Sequence, residues 1–163
     1  MSRTVRITLA VLIALTALLV FARLRYAGKA LVKLAAENCD PGLWKHVHDK
    51  ERLEIVEACT AVEGRVVSLH PASDGDLHIA LDPEHQSILN LMNVMHAGGK
   101  LVVEVICEHT PADAANKDAC GAFHPQIRIP NAGDRVRVTG AYVTDRDRGW
   151  NEIHPVTRID ILR

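Results

Sequence analysis

Asp134-Arg135-Val136-Arg137-Val138-Thr139-Gly140-Ala141-Tyr142-Val143 alternates charged and apolar side chains and carries the clearest strand pattern in the chain. Side chains along a strand point to alternate faces, so Val136 and Val138 share one face and Arg135 and Arg137 the other. The same period recurs on both sides of this stretch. Upstream it runs through Thr60–His70, Asp76–Asp82 and Lys100–Cys107; downstream it runs through Trp150–Leu162. Pro71-Ala-Ser-Asp-Gly75 and Asp145-Arg-Asp-Arg-Gly149 supply turn residues at the joints. One helix is expected between the second and third strands. Asp82 is its cap, Pro83 its first residue, and Gly98-Gly99 stops it. Ile88, Leu91, Met92 and Met95 have helical spacing and read as core packing. Residues 108–132 form an irregular polar excursion. The chain is thus mainly β, with five strands and one short helix, a combination that closes into a small barrel and hides its edges.

Only 4% of residues are aromatic although 48% are apolar, so Val, Ile, Leu and Ala must build the core. The net charge of −1 conceals an asymmetry. Arg3, Arg6, Arg23, Arg25, Lys29 and Lys33 face no acid in the first 33 residues, leaving 13 bases against 20 acids and about −7 for the remainder. That sign disfavours nucleic-acid binding, which needs a basic face to displace counterions.

Ile7–Phe21 is an uncharged apolar run preceded by Arg3 and Arg6. It is shorter than the ~20 residues of a spanning helix and matches the core of a secretory signal. Residues 1–22 are therefore expected to be an N-terminal hydrophobic helix, a signal peptide or a membrane anchor. Residues 23–58 read as a lead-in, in which Glu51–Glu57 is either a short helix or the approach to the first strand, and residues 59–163 as the barrel. The four bases after the run against two before it oppose export on a positive-inside count. Cys39, Cys59, Cys107 and Cys120 include no C-x-x-C pair, which argues against a four-thiolate zinc site and for disulfides in an exported domain. The local pairing Cys39–Cys59 and Cys107–Cys120 is expected, the second loop contributing about 3 kcal/mol.

Gly133-Asp134-Arg-Val-Arg-Val-Thr-Gly140 resembles the Gly-Asp-x-Val-x-Val-x-Gly run of many OB-fold domains, and Val62–Leu69 resembles their first strand. With Asp74-Gly-Asp-Leu-His78 and Gly149-Trp-Asn-Glu-Ile-His-Pro155, the set is similar to a group of bacterial, mostly exported OB-like proteins of unknown function, over roughly residues 59–162. Arg148 stands where those proteins often have His. Gly64-x-Val66 with Asp74-Gly-Asp76 is also reminiscent of the thermonuclease family, but that family's Arg-rich strand and Ile-Asp-Ala-Pro-Glu-like segment do not occur here.

The OB-fold resemblance implies that strands two, three and five lie side by side, with their shared face as the ligand face. The ligand-face candidates are then Asp76, His78, Glu104, Trp150, Glu152 and His154. The second and fifth strands would be about 10 Å apart with Glu104 between them. His78, Glu104, Glu152 and His154 form a donor set for a divalent metal such as zinc, or a proton-exchanging pair. Against this stands a plain structural role, with histidines bonded to turn backbone and carboxylates in cross-strand pairs. His46, His48, His109 and His124 read as solvated, and Trp150 as a lid over the barrel mouth. The preferred function is a binding or interaction module for a small molecule or protein, periplasmic or extracellular, or held at the inner membrane by its N-terminal segment. A metal-dependent hydrolase is the alternative and single-stranded nucleic-acid binding the second.

Overall fold

The computed structural model describes residues 39–112 and 114–162, together with Thr16 and Leu18, which are helical. The expected signal or anchor over 1–22, and residues 23–38 of the lead-in, otherwise lie outside the described residues. Among the described residues no helix is long and apolar enough to cross a membrane.

Five strands form one sheet: β1 Leu53–Pro71, β2 Leu77–Pro83, β3 Leu101–Val105, β4 Arg135–Asp145 and β5 Asn151–Ile161. They close in the order β1-β2-β3-β5-β4. The pairings are antiparallel except β3 with β5, where Val102 faces Glu152 and Val103 faces Ile153. β1 begins at Leu53, inside the segment read as lead-in, so Glu51–Glu57 is largely strand. It is long because it serves two partners, β4 through Arg65 and β2 from Gly64 onward. Gly64 sits where they overlap, and a Cβ there would lie 2.5 Å from the Asp82 carbonyl oxygen. Register shifts near Glu57 and Val67 let β1 bend around the barrel.

The alternation fills the interior with Val66, Ile79, Leu81, Leu101, Val103, Val136, Val138 and Ile153. A second apolar cluster lies on the other side of the wall. Ala141 and Val143 alternate with Tyr142, which packs on the interior, and so they face outward. They meet Val47, Ile106, Cys107, Cys120, Trp44 and Phe123. Part of the barrel's outer face is thus covered by residues 39–52, which include the 3-10 turn Pro41–His46, and by the excursion after β3. Both bridges are as expected, Cys39–Cys59 and Cys107–Cys120. Two disulfides indicate an oxidising, exported environment.

The connection between β2 and β3 differs from expectation. Asp82 and Pro83 belong to β2, and the connection holds a 3-10 turn Gln86–Ile88 and α1, Leu91–His96. The cap is Asn90, which accepts from Asn93 N at 3.0 Å while Asn93 Oδ1 accepts from Asn90 N at 3.1 Å. The stripe is core packing only in part: Ile88 packs against the barrel interior and Met92 is half-buried, whereas Leu91 and Met95, with Val94, point to solvent, and the fully buried residue of the helix is Asn93. Its amide holds the β5 edge, donating to Asn151 O at 2.8 Å and to Lys100 O at 3.0 Å, and accepting from Asn151 N at 2.9 Å. A hydrogen-bonded amide anchors this helix where apolar burial does not. Asn93→Ala leaves several buried groups unpaired and is expected to lower unfolding free energy by about 2 kcal/mol in urea titration; an unchanged midpoint would refute the anchoring role.

Candidate functional site

Register places the predicted residues together. His78 pairs directly with Glu104 across β2 and β3, so both side chains leave the same face. Glu152 pairs with Val102 in the parallel ladder, which carries Glu152 and His154 onto that face as well. Asp76, expected on the second strand, stands just before it, in the turn that follows β1. The face is largely covered, contrary to the open ligand surface expected: Asp76, Glu104, Glu152 and His154 are all buried, while His78, with 38% of its side chain exposed, and the half-buried Trp150 reach solvent.

His154 lies at the centre. Its Nδ1–H is aligned on Glu152 Oε1 at 3.1 Å, while Glu104 Oε2 approaches the same nitrogen at 2.8 Å from the side as a charge contact. Its Nε2 is 3.9 Å from Asp76 Oδ2. His78 Nε2 is 3.4 Å from Glu104 Oε1. Trp150 ties into the cluster: its indole N–H donates to Glu152 Oε2 at 2.9 Å, and Arg148 stacks over its ring at 5.6 Å. His46 is not simply solvated either, since it stacks on Phe123 and its Nδ1 meets Ala119 O at 3.0 Å.

Two further members were absent from the sequence-based set. Arg52 bonds Asp145 Oδ2 at 3.0 Å and lies 3.9 Å from both Glu104 and Glu152. Asp145 also accepts from the backbone N of Asp147 and Arg148, fixing the turn before β5. Nothing in their local sequence marks them: Arg52 sits in a mixed polar stretch and Asp145 reads as an ordinary turn residue. Their partnership spans 93 positions.

The electrostatics follow from burial against neighbours. Burial alone would favour the neutral His154 ring, but the Glu104 carboxylate and then Glu152 override it and push His154 up to about 10. Burial would likewise raise Glu104, yet His154, His78 and Arg52 hold it well below the usual carboxylate range. Asp76 is pushed up to about 6, chiefly by burial, against the pull of His154 and the Cys107 N–H. Burial also raises Glu152, and the Glu104 charge adds to it. His154 is therefore an imidazolium clamped between carboxylates. Even so, His154 Nε2, Glu104 Oε2 and His78 Nε2 are buried atoms without a hydrogen-bond partner among the described residues.

One donor atom each from Asp76, Glu104 and His154 lie within 4.8 Å of one another, a buried triad that could hold a metal ion. Asp76 thus joins the donor set proposed from sequence, while Glu152 bonds the ring nitrogen Nδ1. No protein-family model matches the chain, and no curated protein matches it.

Proposed function

We propose that this chain is an exported, OB-type barrel that binds a divalent cation of the zinc class on the covered face of β2, β3 and β5. The supporting observation is a buried charge imbalance with unsatisfied donors. Asp76, Glu104, Asp145 and Glu152 face Arg52 and the His154 imidazolium, so the pocket carries excess acid when all are ionised. Buried excess charge is costly unless neutralised. A divalent ion displacing the His154 proton would remove one of the two excess negative charges. Zinc bound at about 2.1 Å to N and O donors in a tetrahedron holds them about 3.4 Å apart, near the 3.9 Å between His154 Nε2 and Asp76 Oδ2. Glu152, held by Trp150, would orient the ring through Nδ1 in the way that outer-shell carboxylates support metal-bound histidines. His78 stands outside the triad and touches it only through Glu104, its Nε2 3.4 Å from Glu104 Oε1.

The binding reading is favoured over a metal-dependent hydrolase because the donors are buried, whereas hydrolysis needs an open coordination position reached by substrate. Single-stranded nucleic acid suits neither the acidic pocket nor its cover. The bridges fit a periplasmic or extracellular domain, cut from its leader or tethered to the inner membrane through residues 1–22.

The full chain, purified without a histidine tag and stripped with chelator, is expected to take up a single zinc in competition with a chromophoric chelator. His154→Gln and Asp76→Asn should abolish uptake with near-UV circular dichroism preserved. Uptake no greater than in these variants would sink the proposal.

A further inference from the structure

Asp76 is held by the excursion that follows β3. Cys107 N donates to Asp76 Oδ1 at 2.8 Å, His109 N to Gly75 O at 2.8 Å, and Ala112 N to Ser73 O at 2.9 Å. Three consecutive contacts thus dock the excursion onto the turn bearing Asp76. Gly75 is buried in this junction with φ of +99°, and a Cβ there would meet Pro111 Cγ at 2.7 Å. Cys107 itself is a buried non-glycine residue at φ of +56°, a left-handed conformation that costs energy unless the surroundings impose it. Its side chain is bridged to Cys120 at the end of α2, Ala114–Cys120. The other bridge, Cys39–Cys59, makes none of these contacts.

We infer that the Cys107–Cys120 bridge positions Asp76, so that the cation site is complete only once that bridge has closed. Cys107 is a positioning residue, acting through its backbone N–H on Asp76. The inference rests on the cation-binding reading and adds a condition to it. Closure is a thiol–disulfide exchange. The two thiols of Cys107 and Cys120 give two electrons and two protons to a partner disulfide, which becomes a dithiol as the new S–S bond forms. With both cysteines reduced, nothing covalent holds Cys107 in its left-handed conformation. The excursion then loosens, Asp76 loses its donor, and the triad loses a fixed ligand. Cation loading is thereby coupled to arrival in an oxidising compartment.

The test compares zinc affinity and amide hydrogen exchange in the oxidised full chain, in C107A/C120A and in C39A/C59A. Alanine is used because free thiols bind zinc themselves. Disrupting outer-shell support typically weakens a metal site about 10- to 100-fold. C107A/C120A should therefore bind zinc at least about tenfold more weakly, and its Gly75 and Asp76 amides should exchange faster. C39A/C59A should match the wild type in both. Equal affinity and equal exchange in C107A/C120A would overturn the inference while leaving the cation reading intact. A wild type that binds no zinc removes the cation reading, and the exchange rates then decide alone whether the bridge positions Asp76. Should C107A/C120A fail to fold, C39A/C59A, whose one remaining bridge is Cys107–Cys120, is compared before and after reduction. Reduction should speed exchange of the Gly75 and Asp76 amides; unchanged exchange would overturn the inference.

Discussion

Glu104→Gln is expected to lower the unfolding free energy of the metal-free protein by about 3 kcal/mol, the scale for removing one partner of a buried ion pair. Glu104 touches both cationic groups of the cluster, His154 at 2.8 Å and Arg52 at 3.9 Å, and lies 3.4 Å from the His78 ring. Its neutral isostere keeps the shape and deletes the charge. Glu152 still faces His154, which keeps the loss at the lower end of the range for buried pairs. The comparison is Glu63→Gln. Glu63 pairs with Arg135 and Arg137 at 3.0 Å, the same separation as Arg52 and Asp145 in the pocket, but at the solvated surface. That change should move stability by less than about 1 kcal/mol, because water screens and competes. Urea denaturation of both variants decides the matter. A Glu104 effect no larger than the Glu63 effect would mean that the buried network contributes nothing to the fold.

Alkaline pH should unfold the metal-free protein through His154. Its folded value of about 10 lies above the ordinary 6.5, so the folded state holds a proton that the unfolded chain releases earlier. The resulting stabilisation is fully present below pH 6.5 and is lost as pH climbs toward 10. The ceiling of the loss is on the order of 5 kcal/mol. On the acid side two groups oppose one another. Asp76, raised to about 6, favours the fold at low pH and ceases to do so as it ionises; Glu104, depressed, favours the fold above its ordinary value and loses that as it protonates. Urea midpoints between pH 6 and 10 should fall steadily in the chelator-treated wild type and much less in His154→Gln. Parallel slopes for the two proteins would show that the imidazolium is not what alkali removes.

Much of this was legible locally. Period-two alternation marked all five strands because each buries one face, and a strand's side chains reach that face only at every second position. The two bridges were legible because each closes a short loop. The helix between β2 and β3 was misplaced because Pro83 is compatible with both a helix start and a strand end. Asn93, a poor helix former by propensity, became the buried anchor because its amide meets the backbone of β5, far away in sequence. The outward turn of Leu91, Val94 and Met95 follows from the same fact: once Asn93 faces the barrel, helical spacing sends those three away from it.

The order of residues along this chain by itself marked five amphipathic strands, their turns, a preferred local pairing of four cysteines and the candidates His78, Glu104, Glu152 and His154, whose common face came from the strand register. Tertiary structure alone decided that this face lies beneath a cover, that Arg52 and Asp145 join it, and that His154 carries a proton locked between carboxylates. The physical reason is range. Alternation and loop closure act between near neighbours, whereas desolvation and charge depend on every atom that excludes water from a point, wherever in the chain it comes from.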